Sequence, residues 1–225
     1  MIKVGTLTLE ASDPATTDTV KAKHQMGIGG GSSVVLIRGK NKLILVDTGF
    51  EFEGNLSEDN KDYNKKVLIN ALKERGLSPD DIDILFITHW HRDHFGSMDL
   101  FNKARHLASK TLVEKFGPPD FEPVENLALI DESVVAVYTP GHTLEHCSLL
   151  VEDTFKVAVA GDAIVTRGYF EKGKIWNYNP NFFDEEAAML SMKLLGEASQ
   201  VIIPGHGAPF MTFRPKWMDE LKIKK

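Results

Sequence analysis

The sequence predicts an α+β fold, with mixed β-sheets carrying helices on their outer faces in one layered domain over residues 1–225. Three observations predict it. A hairpin signal stands near the start, two β-branched runs around Gly39-Lys40-Asn41-Lys42 in VVLIRGKNKLILVDTG. Further along, short apolar runs intermix with segments of helical period, a pattern that places sheets and helices in shared layers. The length of 225 residues suits one well-buried core and is short for two full domains.

The elements follow in order. Residues 2–9 alternate weakly and fit a first strand, and residues 11–32, rich in Thr, Ser and Gly, read as loop. The Gly-rich GIGGGSS at 27–33 lacks the Lys of a phosphate-binding loop and precedes a strand instead of a helix. After the hairpin, the polar residues 51–62 read as loop. Tyr63–Arg75 has apolar residues at helical spacing, with Gly76 placed as its C-cap. Asp83–Thr88 is a short apolar strand that ends directly at His89. Residues 104–108 read as a strand and 109–116 as a short helix. Strands follow at 134–139, 148–152 and 155–160. Asp184–Leu195 reads as a helix with Asp184 as N-cap. Gln200–Ile203 is the last strand before Pro204, and KWMDELKIKK closes the chain as an amphipathic or frayed end.

Composition narrows the function classes. Lys and Arg number 26 against 32 Asp and Glu, a net charge of −6, which lacks the basic footprint of a general nucleic-acid binder. The single cysteine, Cys147, allows no intramolecular disulfide and reads as a small buried residue. No apolar run has the length of a signal peptide or a membrane span, so the expected location is the cytoplasm.

The sharpest chemical signal is His89-Trp90-His91-Arg92-Asp93-His94, which puts four metal-ligand types in six positions after an apolar strand. On a helix, residues i and i+2 would diverge by about 200°, so a strand-to-loop setting suits the cluster better than a helical zinc-protease motif. Three later residues share its context of apolar strand, small-residue turn and ligand type: His142 in TPGHT, Asp162 in AVAGDA and His206 in IIPGHGAP. Neighbouring glycines (Gly141, Gly161, Gly205 and Gly207) permit tight turns there. A lone histidine after a strand is usually structural; seven such residues in one pattern are not explained that way. Imidazole and carboxylate suit Zn²⁺, Fe²⁺ or Mn²⁺. Two such ions about 3.5–4 Å apart can share a carboxylate and a hydroxide.

HWHRDH, PGHT, AGDA and PGHG, in this order, resemble the metallo-β-lactamase superfamily, with the likeness running from about Ser33 to Pro209 and including LVDTG. The resemblance implies a four-layer αββα sandwich with two divalent metals at one edge, zinc first and iron or manganese open. It implies that His89, His91 and His142 hold one metal, that Asp93, His94 and His206 hold the other, and that Asp162 bridges them. Asp47 in LVDTG would support a metal-bound histidine from behind; a simple turn aspartate is the equal alternative. The implied activity is a metal-dependent hydrolase. A metal-bridging hydroxide would attack a carboxylic ester, lactone or thioester, and Asp93 or Asp162 would relay the proton. Among relatives, the small size and full ligand set look like acyl-homoserine lactonases. PGHTLEHCSLLV also resembles a small family with an RNA-cleaving member, which keeps a metal-dependent phosphodiesterase as an alternative. A mono-iron persulfide dioxygenase and a relative whose metal only staples the fold are others, and the full ligand set speaks against both.

The expected partner is a small-molecule substrate. Two segments are candidate walls for it: 50–63, with Phe50, Phe52 and Tyr63, and 167–183, where Arg167, Tyr169, Trp176 and Tyr178 are the candidate substrate-binding residues. A homodimer contact or plain loop packing is the other reading of these aromatics. His24, His106 and His146 have no ligand context of this kind, and His24 reads as a surface residue.

Overall fold

A computed structural model describes residues 1–5, 31–49, 58–179 and 181–221. The expectations for residues 6–30, including His24 and most of the Gly-rich stretch, lie outside these, as do Phe50, Phe52 and the last four residues.

The hairpin forms as expected. Strands β1 (Val35–Arg38) and β2 (Leu43–Val46) pair antiparallel, Val35 opposite Val46. Helix α1 runs Glu58–Lys73. It begins before Tyr63, which corrects the loop expected there over residues 58–62; residues 51–57 lie outside the described ones. The apolar period starts only where the helix turns its buried face inward, at Leu68 and Leu72, so it is silent over the polar first turns. Strand β3 (Ile84–Ile87) follows, then α2 (Arg92–Phe95), β4 (Arg105–Ser109), α3 (Lys110–Phe116) and β5 (Phe121–Val124). These five strands make one sheet in the order β1-β2-β3-β4-β5, parallel from β2 onward.

The second sheet holds β6 (Leu129–Asp131), β7 (Val134–Tyr138), β8 (Cys147–Glu152), β9 (Lys156–Gly161), β10 (Val201–Pro204) and β11 (Phe210–Met211) in the order β11-β10-β9-β8-β7-β6. Helices α4 (Arg167–Lys172) and α5 (Glu185–Ala198) lie between β9 and β10 in sequence, and α6 (Trp217–Glu220) follows β11. Asp184 caps α5 as expected, accepting from Ala187 N at 2.8 Å. The segment 167–183, expected as loop, opens instead with a six-residue helix. Thr166 caps it and Gly173 ends it in the left-handed region.

Three apolar layers explain the stacking. Val35, Ile37, Ile44, Val46, Ile84 and Phe86 of the first sheet meet Val134, Ala136, Cys147, Leu149 and Val159 of the second. The opposite face of the first sheet, with Leu45, Leu85, Ile87 and Ala108, packs on Leu68 and Leu72 of α1 and Leu112 of α3. The outer face of the second sheet, with Ala158, Ala160 and Ile202, packs on Phe170, Met192, Leu195 and Met218 of the helices. The result is an αββα sandwich. Each fully buried Leu, Ile or Phe contributes roughly 1.5–3 kcal/mol from area removed from water. Burial pushes the Cys147 thiol above its usual range, which fits a packing role for that residue. Among the described residues, no helix is long and apolar enough to cross a membrane.

Candidate metal centre

Strand direction gathers the site. β2 and β3 run parallel, β9 and β10 run parallel, and β7 shares the direction of β9 through two antiparallel steps across β8. Asp47, His89, His142, Asp162 and His206 each follow the carboxyl end of one of these strands, where a layered fold collects its site residues. HWHRDH itself bends. His91 is extended (φ −102°, ψ 141°) and caps a single helical turn that carries Asp93 and His94. The strand-to-loop setting expected for the stretch is found: β3 ends at Ile87, residues 88–90 bend, and the helical turn Arg92–Phe95 carries Asp93 and His94 back beside His89 and His91.

The seven expected side chains come together in two groups, His89, His91, His142 with Asp162, and Asp93, His94 with His206, the donor atoms of each group lying within 4.8 Å of one another. In the first, His91 Nδ1 lies 2.9 Å from His89 Nε2 and 3.0 Å from His142 Nε2. Asp162 Oδ2 is 3.3 Å from His142 Nε2 and 3.9 Å from His89 Nε2. In the second, Asp93 Oδ2 is 3.4 Å from His206 Nε2 and 3.5 Å from His94 Nε2. The other oxygen of Asp162, Oδ1, lies 3.4 Å from both of these imidazoles. One carboxylate thus faces both groups, one oxygen to each.

These residues fit divalent cations. Ligand bonds of about 2.0–2.1 Å in a tetrahedron put neighbouring donors roughly 3.3 Å apart; the contacts given above run from 2.9 to 3.9 Å, and all donors of a group stay within 4.8 Å of one another. His94 Nε2 and Asp162 Oδ1 are buried without a hydrogen-bond partner. Such groups cost about 1–3 kcal/mol each unless something satisfies them, and a cation between them would.

The electrostatics differ between the groups. Burial pushes the pKa of His89 and His142 well below the usual imidazole value, and that of His91 down less far against the pull of Asp93 and Asp162. Neutral imidazole is the ligand form. Burial also opposes charge on His94 and His206, but Asp93 and Asp162 outweigh it and hold both above the usual value. Asp162 itself lies well below the carboxylate range; burial raises it, and His206, His94 and His142 more than reverse that.

A ring of buried partners holds the donors. Asp47, 3% exposed, accepts from Thr88 N at 2.9 Å and meets His94 Nδ1 at 2.7 Å. Thr48 donates to His94 O from both N and Oγ1, Ser32 Oγ donates to Asp93 O, and His206 Nδ1 meets Gly31 O at 3.0 Å. Asn179 Nδ2 donates to His142 O at 3.1 Å. Gly205 is required: a Cβ there would overlap Asp162 Oδ1.

The candidate substrate residues spread out. Tyr169, 5% exposed, and the half-buried Trp176 line a narrow pocket with His142, Asp162, Ile175 and Phe182. Tyr178 packs edge-on against Trp176 at 5.0 Å between ring centroids. Arg167 is exposed and pairs with Glu171 at 2.6 Å. Tyr63 is 56% exposed on α1.

Two residues at the site escape sequence reasoning. His146 is 1% exposed and its ring lies 4.9 Å from that of His89, tilted by 30°. The available signal was its place four residues after His142. Thr88, fully buried, bonds both Asp47 and His89; its only signal was adjacency to His89. His106, by contrast, bonds Phe101 O and packs on Phe121.

Comparison with known proteins agrees with this geometry. The family description of the metallo-beta-lactamase superfamily matches residues 27–114. Metallo-beta-lactamase domain-containing protein 1 of Xenopus laevis is 35% identical over 81% of this chain and 73% of its own length. A probable metallo-hydrolase of Methanocaldococcus jannaschii is 32% identical over 63% of this chain and 65% of its own. Among solved structures, a putative metallo-beta-lactamase from Thermotoga maritima superimposes with a TM-score of 0.62 at 20% identity, covering 93% of this chain and 96% of that one. An N-acyl homoserine lactone hydrolase superimposes with a TM-score of 0.57 at 25% identity, covering 72% and 74%. By its fold, its donor set and these relatives, the chain belongs to the metallo-beta-lactamase superfamily and is a metal-dependent hydrolase.

Proposed function

We propose that the chain hydrolyses a carboxylic ester, lactone or thioester at a site for two divalent cations, zinc first among them. In this reading His89, His91 and His142 hold one cation, Asp93, His94 and His206 hold the other, and Asp162 is shared. The observation that carries it is the division of Asp162, one oxygen 3.3 Å from His142 and the other 3.4 Å from His94 and His206. When bound, two such cations supply Lewis acidity and lower the pKa of water to about 7.

The chain's own residues supply the rest. His89 and His142, kept neutral by burial, offer lone pairs without a proton to expel. Asp93 is the carboxylate with a route to water: its side chain is 24% exposed against 6% for Asp162. Asp93 therefore passes the proton to and from solvent, while Asp162 stays buried and fixes the spacing of the two groups. Tyr169, Trp176, Ile175 and Phe182 form an apolar wall beside His142 and Asp162, which suits the hydrocarbon part of an acyl group and excludes water from it. Arg167, engaged with Glu171, stands outside that wall. The likeness at 25% identity to a lactone hydrolase favours the acyl substrates over a phosphodiester, as does the net charge of −6.

A panel of acyl lactones, thioesters, aryl esters and short RNA tests the reading. The expected result is turnover of at least one acyl substrate, lost in Asp93→Asn. RNA cleavage with no acyl turnover would overturn it.

A further inference from the structure

The two sheets do not end together. β1 is the edge of the first sheet, while β9 continues through β10 to β11 in the second. Between β1 and the strands β9 and β10 lies a trough of about 520 Å³. Its walls include Val35 and Ile37 of β1, Val157 and Val159 of β9, and Ile203 of β10. Val35, Ile37 and Val159 are buried, and Val157 and Ile203 are half-buried. No lining residue belongs to either donor group. Pockets for small molecules run roughly 300–1,000 Å³ and are mostly apolar with a few placed polar groups, and the trough fits that description.

Its mouth is charged. Arg38 stands opposite Leu43 at the amino end of β2, whereas the donors gather at the carboxyl ends of the strands. Arg38 is exposed, and its guanidinium has no ion pair or hydrogen-bond partner among the described residues. Arg75, just past α1, donates to Ala71 O at 2.7 Å and to Met1 O at 3.4 Å, which holds its fork at the rim with N–H groups to spare. Glu74 approaches it only to 3.9 Å. Asp153 also lines the mouth. Two guanidinium groups against one carboxylate leave one net positive charge among the lining residues.

We propose that this trough is a second binding site, separate from the metal centre, for a single-chain aliphatic carboxylate. The hydrocarbon lies along Val35, Ile37, Val159 and Ile203, where each buried methylene is removed from water. The carboxylate takes N–H groups of Arg38 and Arg75, whose planar forks match its two oxygens. One net positive charge suits a monoanion better than a phosphate dianion, and the apolar walls favour a tailed anion over a small polar one. The inference goes beyond the proposed hydrolysis and stands whether or not the donors hold cations.

Isothermal titration calorimetry of the full chain, as purified and after chelation, tests it with dodecanoate, butyrate and dodecyltrimethylammonium. The expected result is saturable binding of about one dodecanoate per chain, with the same affinity after chelation. Butyrate lacks the tail and dodecyltrimethylammonium reverses the charge of the head, so both should bind at least about tenfold more weakly. Arg38→Glu changes an exposed side chain outside the core. It should weaken dodecanoate by about tenfold to a hundredfold, the worth of a hydrogen bond to a charged group. No binding of dodecanoate overturns the inference. So does binding that Arg38→Glu leaves intact, or binding as tight for the cationic amphiphile. Binding that chelation abolishes would put the carboxylate on the metal centre and overturn it as well.

Discussion

The donor cluster and the wall beside it are built on different terms. In the cluster, His89, His94, His142 and His206 are at most 3% exposed, and directed hydrogen bonds to Asp47, Thr48, Thr88, Gly31 and Asn179 hold them from behind. In the wall, the half-buried Trp176 meets Tyr169 and Tyr178 edge-on, at 6.0 and 5.0 Å between ring centroids. Bonded, buried groups hold a donor within tenths of an ångström; ring packing lets a side chain shift to suit what lies against it. On the proposed function, the chemistry falls to the hydrogen-bonded part and the choice of substrate to the ring-packed part.

Asp162→Ala makes the largest break. It removes the carboxylate that both donor sets face, and should lower hydrolysis by more than the roughly 10–100-fold that losing a hydrogen-bonded support behind a ligand costs. Metal content should fall with it; unchanged content and rate would remove Asp162 from the site.

The cluster should also show its electrostatic tension once the metal is chelated. Burial pushes His146 down to about 3, and His89 and His142 well below the ordinary imidazole value of 6.5. As pH falls below 6.5, the unfolded chain takes up protons that these native imidazoles refuse, so stability present above pH 6.5 is lost. His94 and His206 run the other way: burial opposes their charge, but the carboxylates raise them. Their contribution is full below pH 6.5 and is lost as pH rises through their raised values. The melting temperature of chelated protein should therefore peak near the reference value of 6.5 and fall on both sides. His146→Gln should make the acid limb shallower. A flat profile from pH 4 to 6.5 would contradict the burial argument.

The wall should respond more gently. Trp176→Ala is expected to raise KM for apolar acyl substrates by about tenfold, roughly 1.4 kcal/mol, with metal content unchanged. A loss of metal instead would mean that the wall supports the donors. Arg167→Ala should do least. An exposed i,i+4 pair with Glu171 contributes less than about 0.5 kcal/mol, and KM should stay put; a raised KM would return Arg167 to the substrate wall.

The same contrast governs what the sequence makes legible. The hairpin, β3 into His89, and the turns at His142, Asp162 and His206 could be read because apolar strand, small residue and ligand type are adjacent in the chain. Capping marked α5 through Asp184 for the same reason. Short elements were harder to see. α4, six residues from Arg167 to Lys172, is too brief for an apolar period and shows only in Thr166 and Gly173. β5 contains Pro123 and stands at a sheet edge, where a missing N–H is tolerated. The placement of Thr88 against Asp47 and of His146 against His89 depends on strands from distant segments meeting, which local spacing does not record.

Elemental mass spectrometry of protein purified without chelators, with Zn, Fe and Mn read together, tests the central claim most directly. The account predicts about two metal ions per chain, falling to about one in His94→Ala. A single ion that His94→Ala leaves in place, or none after reconstitution, would contradict it.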